Sequence, residues 1–344
     1  MNQRRQLDED DVRVRPGRGK SRPRSKERPT HKDAEPGFVV AVDRGRFTCV
    51  VGQPDDAQRG VELYAVKSRE LGRKGVVVGD RVGLVGDLTG TPDTLARVVR
   101  VELPTSILRR TADDTDPVER VLVANADQLA LVVAVADPEP RPRLIDRCLV
   151  AAFDAGLDPL LVLTKCDLAD PSELLRTYGA LNVPYVITRR SGDGVSIEGV
   201  EAVRERLLGR MSVLVGHSGV GKSTLVNALV PDAHRATGKV NDVTGRGRHT
   251  STSAIALPLL AGGWVVDTPG VRSFGLAHVD PARLLDAFPE LAAGTESCPR
   301  GCTHDEDECA LDDWVAAGQA GEAGAARLDS FRRLLRALRG EDDN

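Results

Sequence analysis

Nine consecutive residues, Gly216-His217-Ser218-Gly219-Val220-Gly221-Lys222-Ser223-Thr224, have the types and spacing of a loop that wraps a polyphosphate. Glycines let successive backbone N–H groups turn inward around phosphate oxygens. A lysine at the seventh position can reach the β- and γ-phosphates, and the serine hydroxyl after it can ligate Mg²⁺. The flanks supply the required setting. Met211–Val215 is an apolar run suited to a buried strand, and the residues from Thr224 to Leu229 have helical apolar spacing that ends near Pro231. Strand, glycine-rich turn and helix place the phosphates at a helix N-terminus.

Further residues extend this chemistry. Asp267-Thr268-Pro269-Gly270 follows the apolar Trp264-Val265-Val266. A carboxylate at the end of a buried strand can hold Mg²⁺ through water, and the Gly270 N–H can contact a γ-phosphate and register its loss. Between the two motifs lies Gly245-Arg246-Gly247-Arg248-His249-Thr250-Ser251-Thr252, rich in glycine and hydroxyl residues. One threonine there can complete the Mg²⁺ shell; Thr250 and Thr252 are both candidates. The position after Gly270, where a water-orienting glutamine is common, holds Val271. Slow intrinsic hydrolysis is expected, with His249 either orienting the water or serving to order the loop or contact RNA.

Thr164-Lys165-Cys166-Asp167 ends the apolar run Leu160–Leu163. It resembles the guanine-reading element of GTPases, in which the carboxylate accepts from guanine N1–H and the exocyclic amine, a donor pattern adenine lacks. The lysine stem can lie over the purine, and Thr164 stands where asparagine is usual. Thr188-Arg189-Arg190-Ser191-Gly192 follows the apolar Tyr185–Ile187 and lies where a backbone contact to the guanine oxygen is expected.

The elements that must position these groups alternate: a strand over 129–135, a helix near 143–155, strands at 160–163 and near 185–187, a helix near 200–208, then strand 211–215 and the phosphate loop. That alternation predicts a doubly wound parallel sheet with nucleotide at the strands' C-terminal ends. The base-reading element precedes the phosphate loop, so the motif order is rotated. Domain termini commonly lie close together, so such a permutation leaves a fold intact. Here the cut falls just after Gly270, which predicts that nucleotide state is transmitted to the flanking domains.

The flanks carry other chemistry. Cys298, Cys302, His304 and Cys309 form a Cys₃His set of the kind that closes a structural zinc site, with Asp305, Glu306 and Asp307 as poorer substitutes. Half of the six cysteines fall in that stretch. Residues 37–103 alternate apolar positions between glycine-rich turns, as in a small β-barrel. Arg44, Arg46, Lys67, Arg69, Arg73 and Lys74 are candidates for RNA phosphates, and Phe38, Phe47 and Tyr64 are assigned to the core. Residues 12–32 hold nine Lys/Arg and one acid, Glu27, and read as a disordered basic arm that touches rRNA or merely solubilises. Leu328–Leu338 reads as an amphipathic helix whose Arg332, Arg333, Arg336 and Arg339 face RNA. The net charge of −4 excludes a globally basic nucleic-acid binder. Neither a signal peptide nor an apolar run of membrane length stands out, so a cytoplasmic monomer without a membrane partner is expected.

With Thr164–Asp167, Gly216–Thr224, Gly247-Arg248-His249-Thr250, Asp267–Gly270 and the Cys/His cluster, the chain from about 37 to 340 resembles the RsgA/YjeQ family of circularly permuted GTPases. The resemblance implies an N-terminal OB-fold, a permuted α/β P-loop GTPase domain and a C-terminal helical zinc-binding domain. Their expected limits are a basic arm over 1–36, an OB-fold over 37–105, a GTPase domain over 106–275 and a zinc domain over 276–344. It also implies a GTPase that works late in maturation of the small ribosomal subunit, bound to that subunit and its rRNA and stimulated by it. GTP and GDP are the expected ligands, with Mg²⁺ on the nucleotide and one structural Zn²⁺. Two other classes compete, a P-loop ATPase or small-molecule kinase and an RNA-binding scaffold with a structural nucleotide. Asp167 argues against the first, and subunit-stimulated hydrolysis would exclude the second.

Overall fold

Val39 faces one hydrophobic core and its neighbours Phe38 and Val40 face another. Successive strand residues point to opposite sides, so a strand sandwiched between two cores is buried along its length instead of alternating. This strand, β1 (Glu35–Asp43), is the seam of the molecule. The computed structural model describes residues 31–52, 60–72, 75–91, 94–110, 120–193, 196–230, 254–268, 274, 276 and 279–340. The basic arm up to residue 30, Arg73, Lys74, the segment with His249, Thr250 and Thr252, and Pro269 to Ser273 lie outside the described residues.

On one side of the seam, β1 joins β2 (Arg46–Val51), β3 (Glu62–Lys67), β4 (Arg81–Val85) and β5 (Ala96–Val101). The pairing runs β1-β2-β3-β5-β4 and closes through β1–β4, with β3 and β5 parallel. This is a five-stranded OB-fold barrel, filled by Val39, Phe47, Cys49, Leu63, Leu84 and Val98. Phe47 is in that core as expected. Phe38 is also fully buried as expected, in the neighbouring core rather than the barrel's, edge-on to Trp264 at 4.6 Å. Tyr64 departs from the expectation: it is half-buried, with Arg46 6.0 Å from its ring. The cause is its place in β3, where alternate residues Leu63 and Ala65 take the inward positions.

A hairpin, β6 (Ile107–Arg110) with β7 (Arg120–Ala124), leads from the barrel into the second layer. There follow β8 (Gln128–Ala134), α1 (Pro142–Asp154), β9 (Asp158–Thr164), α2 (Ser172–Gly179), β10 (Tyr185–Ile187), the short pair β11 (Arg189–Arg190) and β12 (Ile197–Glu198), α3 (Val200–Leu207), β13 (Met211–Val215), α4 (Lys222–Leu229), β14 (Ile255–Pro258) and β15 (Trp264–Asp267). The strands lie in the order β10-β9-β8-β13-β15-β14, parallel except for β14. In β8, Leu129, Leu131 and Val133 enter one core and Ala130, Val132 and Ala134 the other. Burial on both faces is what a parallel sheet between helices demands, and it explains the unbroken apolar run. The chain builds outward through β8, β9 and β10 and then returns to lay β13 beside β8. That reversal opens the crevice in which doubly wound sheets bind ligands. Beyond β14 the sheet continues into the barrel, Ala41 of β1 pairing with Ile255.

The C-terminal stretch supplies α5 (Pro281–Leu285), α6 (Pro289–Ala292), α7 (Ala310–Ala316) and α8 (Gly324–Arg339). Asp280 caps α5 by accepting from the Ala282 N–H at 3.0 Å. Leu328, Phe331, Leu334 and Leu335 of α8 are buried, with Phe331 edge-on to Phe288 at 5.2 Å. Each of the α8 arginines expected to face RNA has a partner within the protein, although Arg336 and Arg339 stay exposed. Arg332 forks onto Asp312 (2.8 and 2.6 Å) and donates to the His304 carbonyl, and Arg333 pairs with buried Asp146 and lies 4.8 Å from the Tyr178 ring. Arg336 and Arg339 hold Asp305. Acids presented by the neighbouring segments claim these guanidinium groups, a pairing that helical periodicity in one segment cannot reveal. Among the described residues no helix is long and apolar enough to cross a membrane.

Candidate nucleotide site and metal centre

The C-terminal ends of β8, β9 and β13 meet around a cavity of about 360 Å³. Its lining includes Thr164, Lys165 and Asp167 after β9, Thr188, Arg189 and Arg190 beyond β10, and Gly219, Gly221 and Thr224 after β13. Motifs more than fifty residues apart are thus drawn to one rim by the return of the chain to β13. Gly221 precedes α4 with φ +92°, a left-handed conformation that side chains resist, and Lys222 and Ser223 open the helix. Gly216, His217, Ser218 and Val220 complete the turn, with Val220 buried and Ser218 exposed.

Each side chain in the base-reading element has a definite partner. The Thr164 hydroxyl donates to the Val220 carbonyl at 2.6 Å, tying this element to the phosphate loop. Where asparagine is usual, the shorter threonine still spans that gap. Lys165 has φ +58° and donates its ammonium to the carbonyl of Asp137, itself at φ +43°, with the Asp137 carboxylate 3.9 Å away. Left-handed backbone at two facing non-glycine residues is a strain that persists where surrounding structure enforces it, commonly at functional sites. Asp167 accepts from the Arg190 N–H at 2.9 Å, and that bond holds its carboxyl below the usual aspartate range. The group is exposed and ionised, oriented by the loop that follows β10. Cys166 donates weakly to the Leu163 and Thr164 carbonyls, and burial pushes its thiol up.

At the phosphate end, Lys222 is ion-paired with Asp267 at the end of β15. Buried Thr268 donates to the Leu214 carbonyl of β13 at 2.7 Å, fixing the outlet of β15 against the phosphate-loop strand. Sequence reasoning missed Asp137, Leu168 and Ile197 in the lining. Asp137 had one available signal: it follows the apolar strand that ends beside the crevice.

The second site lies 298–309. The thiols of Cys298, Cys302 and Cys309 and one ring nitrogen of His304 all fall within 4.8 Å of one another. His304 Nδ1 is 3.6, 3.7 and 3.9 Å from the sulfurs of Cys298, Cys302 and Cys309, and Cys298 Sγ is 3.9 Å from Cys309 Sγ. Tetrahedral zinc with Zn–S ~2.3 Å and Zn–N ~2.0–2.1 Å calls for donor separations of roughly 3.6–3.8 Å, so the donor set fits such an ion. Two of the three carboxylates named as substitutes have other duties. Glu306 accepts from the Thr303 N–H at 2.8 and 3.0 Å, which lowers its carboxyl to about 2, and Asp305 is held by Arg336 and Arg339. The other cysteines are no part of this: Cys49 and Cys148 are buried, and burial pushes each thiol up to about 12.

Phosphate loop at the sheet's switch point, base-reading carboxylate beside it, and the rotated chain order together define a circularly permuted P-loop GTPase fold. A family model described as RsgA GTPase matches residues 101–277. The small ribosomal subunit biogenesis GTPase RsgA of Ectopseudomonas mendocina (strain ymp) is 41% identical over 231 residues, which cover 64% of this chain and 64% of that protein. The chain therefore spans 64% of the length of that relative. The crystal structure of YjeQ from Thermotoga maritima superposes with a TM-score of 0.63 and 29% identity, covering 90% of this chain and 99% of that one. YloQ, a circularly permuted GTPase, shares the fold with a TM-score of 0.61 at 20% identity, over 92% of this chain and 99% of its own. The chain belongs to the RsgA GTPase family.

Proposed function

We propose that this protein is a GTPase that binds the small ribosomal subunit, assists its late maturation and hydrolyses GTP to GDP and phosphate under stimulation by the subunit. The observation that carries the reading is one cavity lined both by the base-reading Thr164, Lys165 and oriented, ionised Asp167 and by Gly219, Gly221 and Thr224 of the phosphate loop. Asp167 accepts from guanine N1–H and the 2-amino group, Lys165 lies along the base, and Thr164 holds the two loops in register. The backbone of Gly216 to Thr224 surrounds the phosphates, and Lys222 leaves Asp267 for the β- and γ-oxygens. Ser223 and Asp267, with Thr250 or Thr252, would hold Mg²⁺, which neutralises charge on the β- and γ-oxygens when bound. Gly270 takes the γ-phosphate contact and His249 the water-orienting role; Val271 cannot orient water.

The domain limits carry over to this reading: basic arm 1–36, OB-fold 37–105, GTPase domain 106–275, zinc-binding helical domain 276–344. Cys298, Cys302, His304 and Cys309 hold one structural zinc. Rigid thiolate and imidazole ligation of that kind stabilises a short segment with little core of its own. The barrel offers exposed Arg44, Arg46 and Arg69 to rRNA phosphates. A role on the ribosome supports a cytoplasmic location, and this reading takes the protein as a monomer.

The test is phosphate release from GTP with and without purified small ribosomal subunits, alongside competition by ATP. Release raised by the subunit and unaffected by ATP is expected. No stimulation would favour the scaffold class, and effective competition by ATP would favour the ATPase or kinase class.

A further inference from the structure

Guanine presents the N1–H and 2-amino donors, which Asp167 accepts, and the 6-oxo and N7 acceptors, which need donors of their own. The loop after β10 is where a backbone donor to the 6-oxo group is expected, yet its N–H groups are engaged within the protein. The Thr188 N–H bonds to the Leu163 carbonyl at 2.7 Å, the Arg190 N–H to Asp167 at 2.9 Å and the Ser191 N–H to the Ser196 carbonyl at 2.9 Å. Arg189 faces Glu198 across β11 and β12, two residues from that last bond, which in an antiparallel ladder is the next hydrogen-bonded pair.

Most side-chain donors of the base-reading end are committed as well. An asparagine amide in place of Thr164 would carry two N–H donors, enough for a loop carbonyl and for N7. The single Thr164 O–H is spent on the Val220 carbonyl. The Thr188 hydroxyl donates to the Leu163 carbonyl at 3.1 Å, and the Lys165 ammonium to that of Asp137. Arg189 Nε lies 3.8 Å from the Glu198 carboxylate. Arg190, in contrast, is exposed and lines the cavity, and among the described residues its guanidinium is in no ion pair. Its backbone is bonded to the carboxylate that reads N1–H, and the 6-oxo group is the next substituent round the ring.

We propose that Arg190 is a specificity-determining residue whose guanidinium fork donates to guanine O6 and N7. That bidentate pairing is the geometry by which arginine recognises guanine. Adenine sets a 6-amino donor where the fork needs an acceptor, so Arg190 rejects it independently of Asp167. The inference rests on the nucleotide reading above and deepens it.

The experiment compares the full chain with Arg190→Ala, which keeps the backbone N–H on Asp167, and with Arg190→Lys and Arg189→Ala. Competition against fluorescent GDP gives affinities for GDP, for 7-deaza-GDP, which lacks the N7 acceptor, and for IDP, which lacks the 2-amino group. The parent chain is expected to bind 7-deaza-GDP about tenfold less tightly than GDP, as for loss of a charge-assisted hydrogen bond. In Arg190→Ala, GDP affinity falls on the order of 10²-fold for two such bonds, and the preference for GDP over 7-deaza-GDP shrinks to within about twofold. The preference for GDP over IDP, set by Asp167, keeps its parent value. Arg190→Lys, a point charge without the fork, falls between the two on GDP, and Arg189→Ala keeps both preferences. A parent chain that binds GDP and 7-deaza-GDP alike overturns the assignment. So does a preference that survives Arg190→Ala, or one that Arg189→Ala removes in its place. A parent chain that does not bind GDP overturns the nucleotide reading and this one with it.

Discussion

At the scale of residues, the site is a set of short bonds between loops that are distant in sequence. Asp167 is oriented by the Arg190 N–H, so its charge and direction are set before any ligand arrives. Asp167→Asn should lower GDP affinity by on the order of 10²-fold or more, because two charge-assisted acceptors vanish. The same variant should gain xanthosine diphosphate, whose 2-oxo group accepts from the new amide; fluorescent-nucleotide titration reads both. A carboxyl held below its ordinary value stays ionised as pH falls. Its contribution to GDP binding should therefore hold from about pH 8 to 5 and decline only below the usual aspartate value of about 3.9. Equilibrium titrations at several pH values check this. The side chains of Thr164 to Asp167 and Gly216 to Thr224 were legible in the sequence because their chemistry is local and contiguous. Asp137 was not, since what gives it meaning is a partner brought near only by folding; Asp137 and Lys165 are 28 positions apart.

At the scale of elements, helix α8 shows what periodicity can and cannot deliver. Its apolar stripe was readable, and Phe331 at its centre is fully buried against Phe288. Phe331→Ala should destabilise the protein by about 3–5 kcal/mol, seen as a lower denaturation midpoint. Its arginines were assigned to RNA because a basic stripe looks the same whether water, RNA or protein acids await it. Arg332 fixes the loop that carries His304, so helix and Cys/His cluster support each other. Stripping the metal with a chelator should lower the melting temperature, and His304→Ala should cost the one equivalent of zinc measured by elemental analysis. Full retention of zinc in that variant would reject the ligand set. The strands of the parallel sheet were legible almost residue for residue, because burial on both faces leaves an apolar run that nothing else in the chain imitates.

At the scale of the whole molecule, barrel and GTPase sheet are not beads on a linker. Asn125 donates to the Gly79 carbonyl at 2.9 Å, the Ala124 N–H bonds to the Val78 carbonyl, and Phe38 packs on Trp264. Gly79 sits in this seam with φ +88°, and a Cβ there would fall 1.9 Å from the Ala124 carbonyl oxygen. Gly79→Ala should therefore split a thermal transition that is single in the parent chain, or lower it markedly, as followed by calorimetry. The sequence showed a barrel and a sheet but gave no sign of their fusion, since pairing between β1 and β14 joins residues whose neighbours predict nothing about one another.

That fusion governs what happens if the two parts are separated. Strand β14 is laddered to β15 on one side and meets β1 of the barrel on the other, where Ala41 pairs with Ile255. Removing the barrel would leave β14 as an uncovered edge strand, an invitation to strands from other molecules. A chain beginning at residue 106 should accordingly self-associate more than the intact chain in light scattering. In this architecture the barrel is a chaperone of the sheet as much as a neighbour of it.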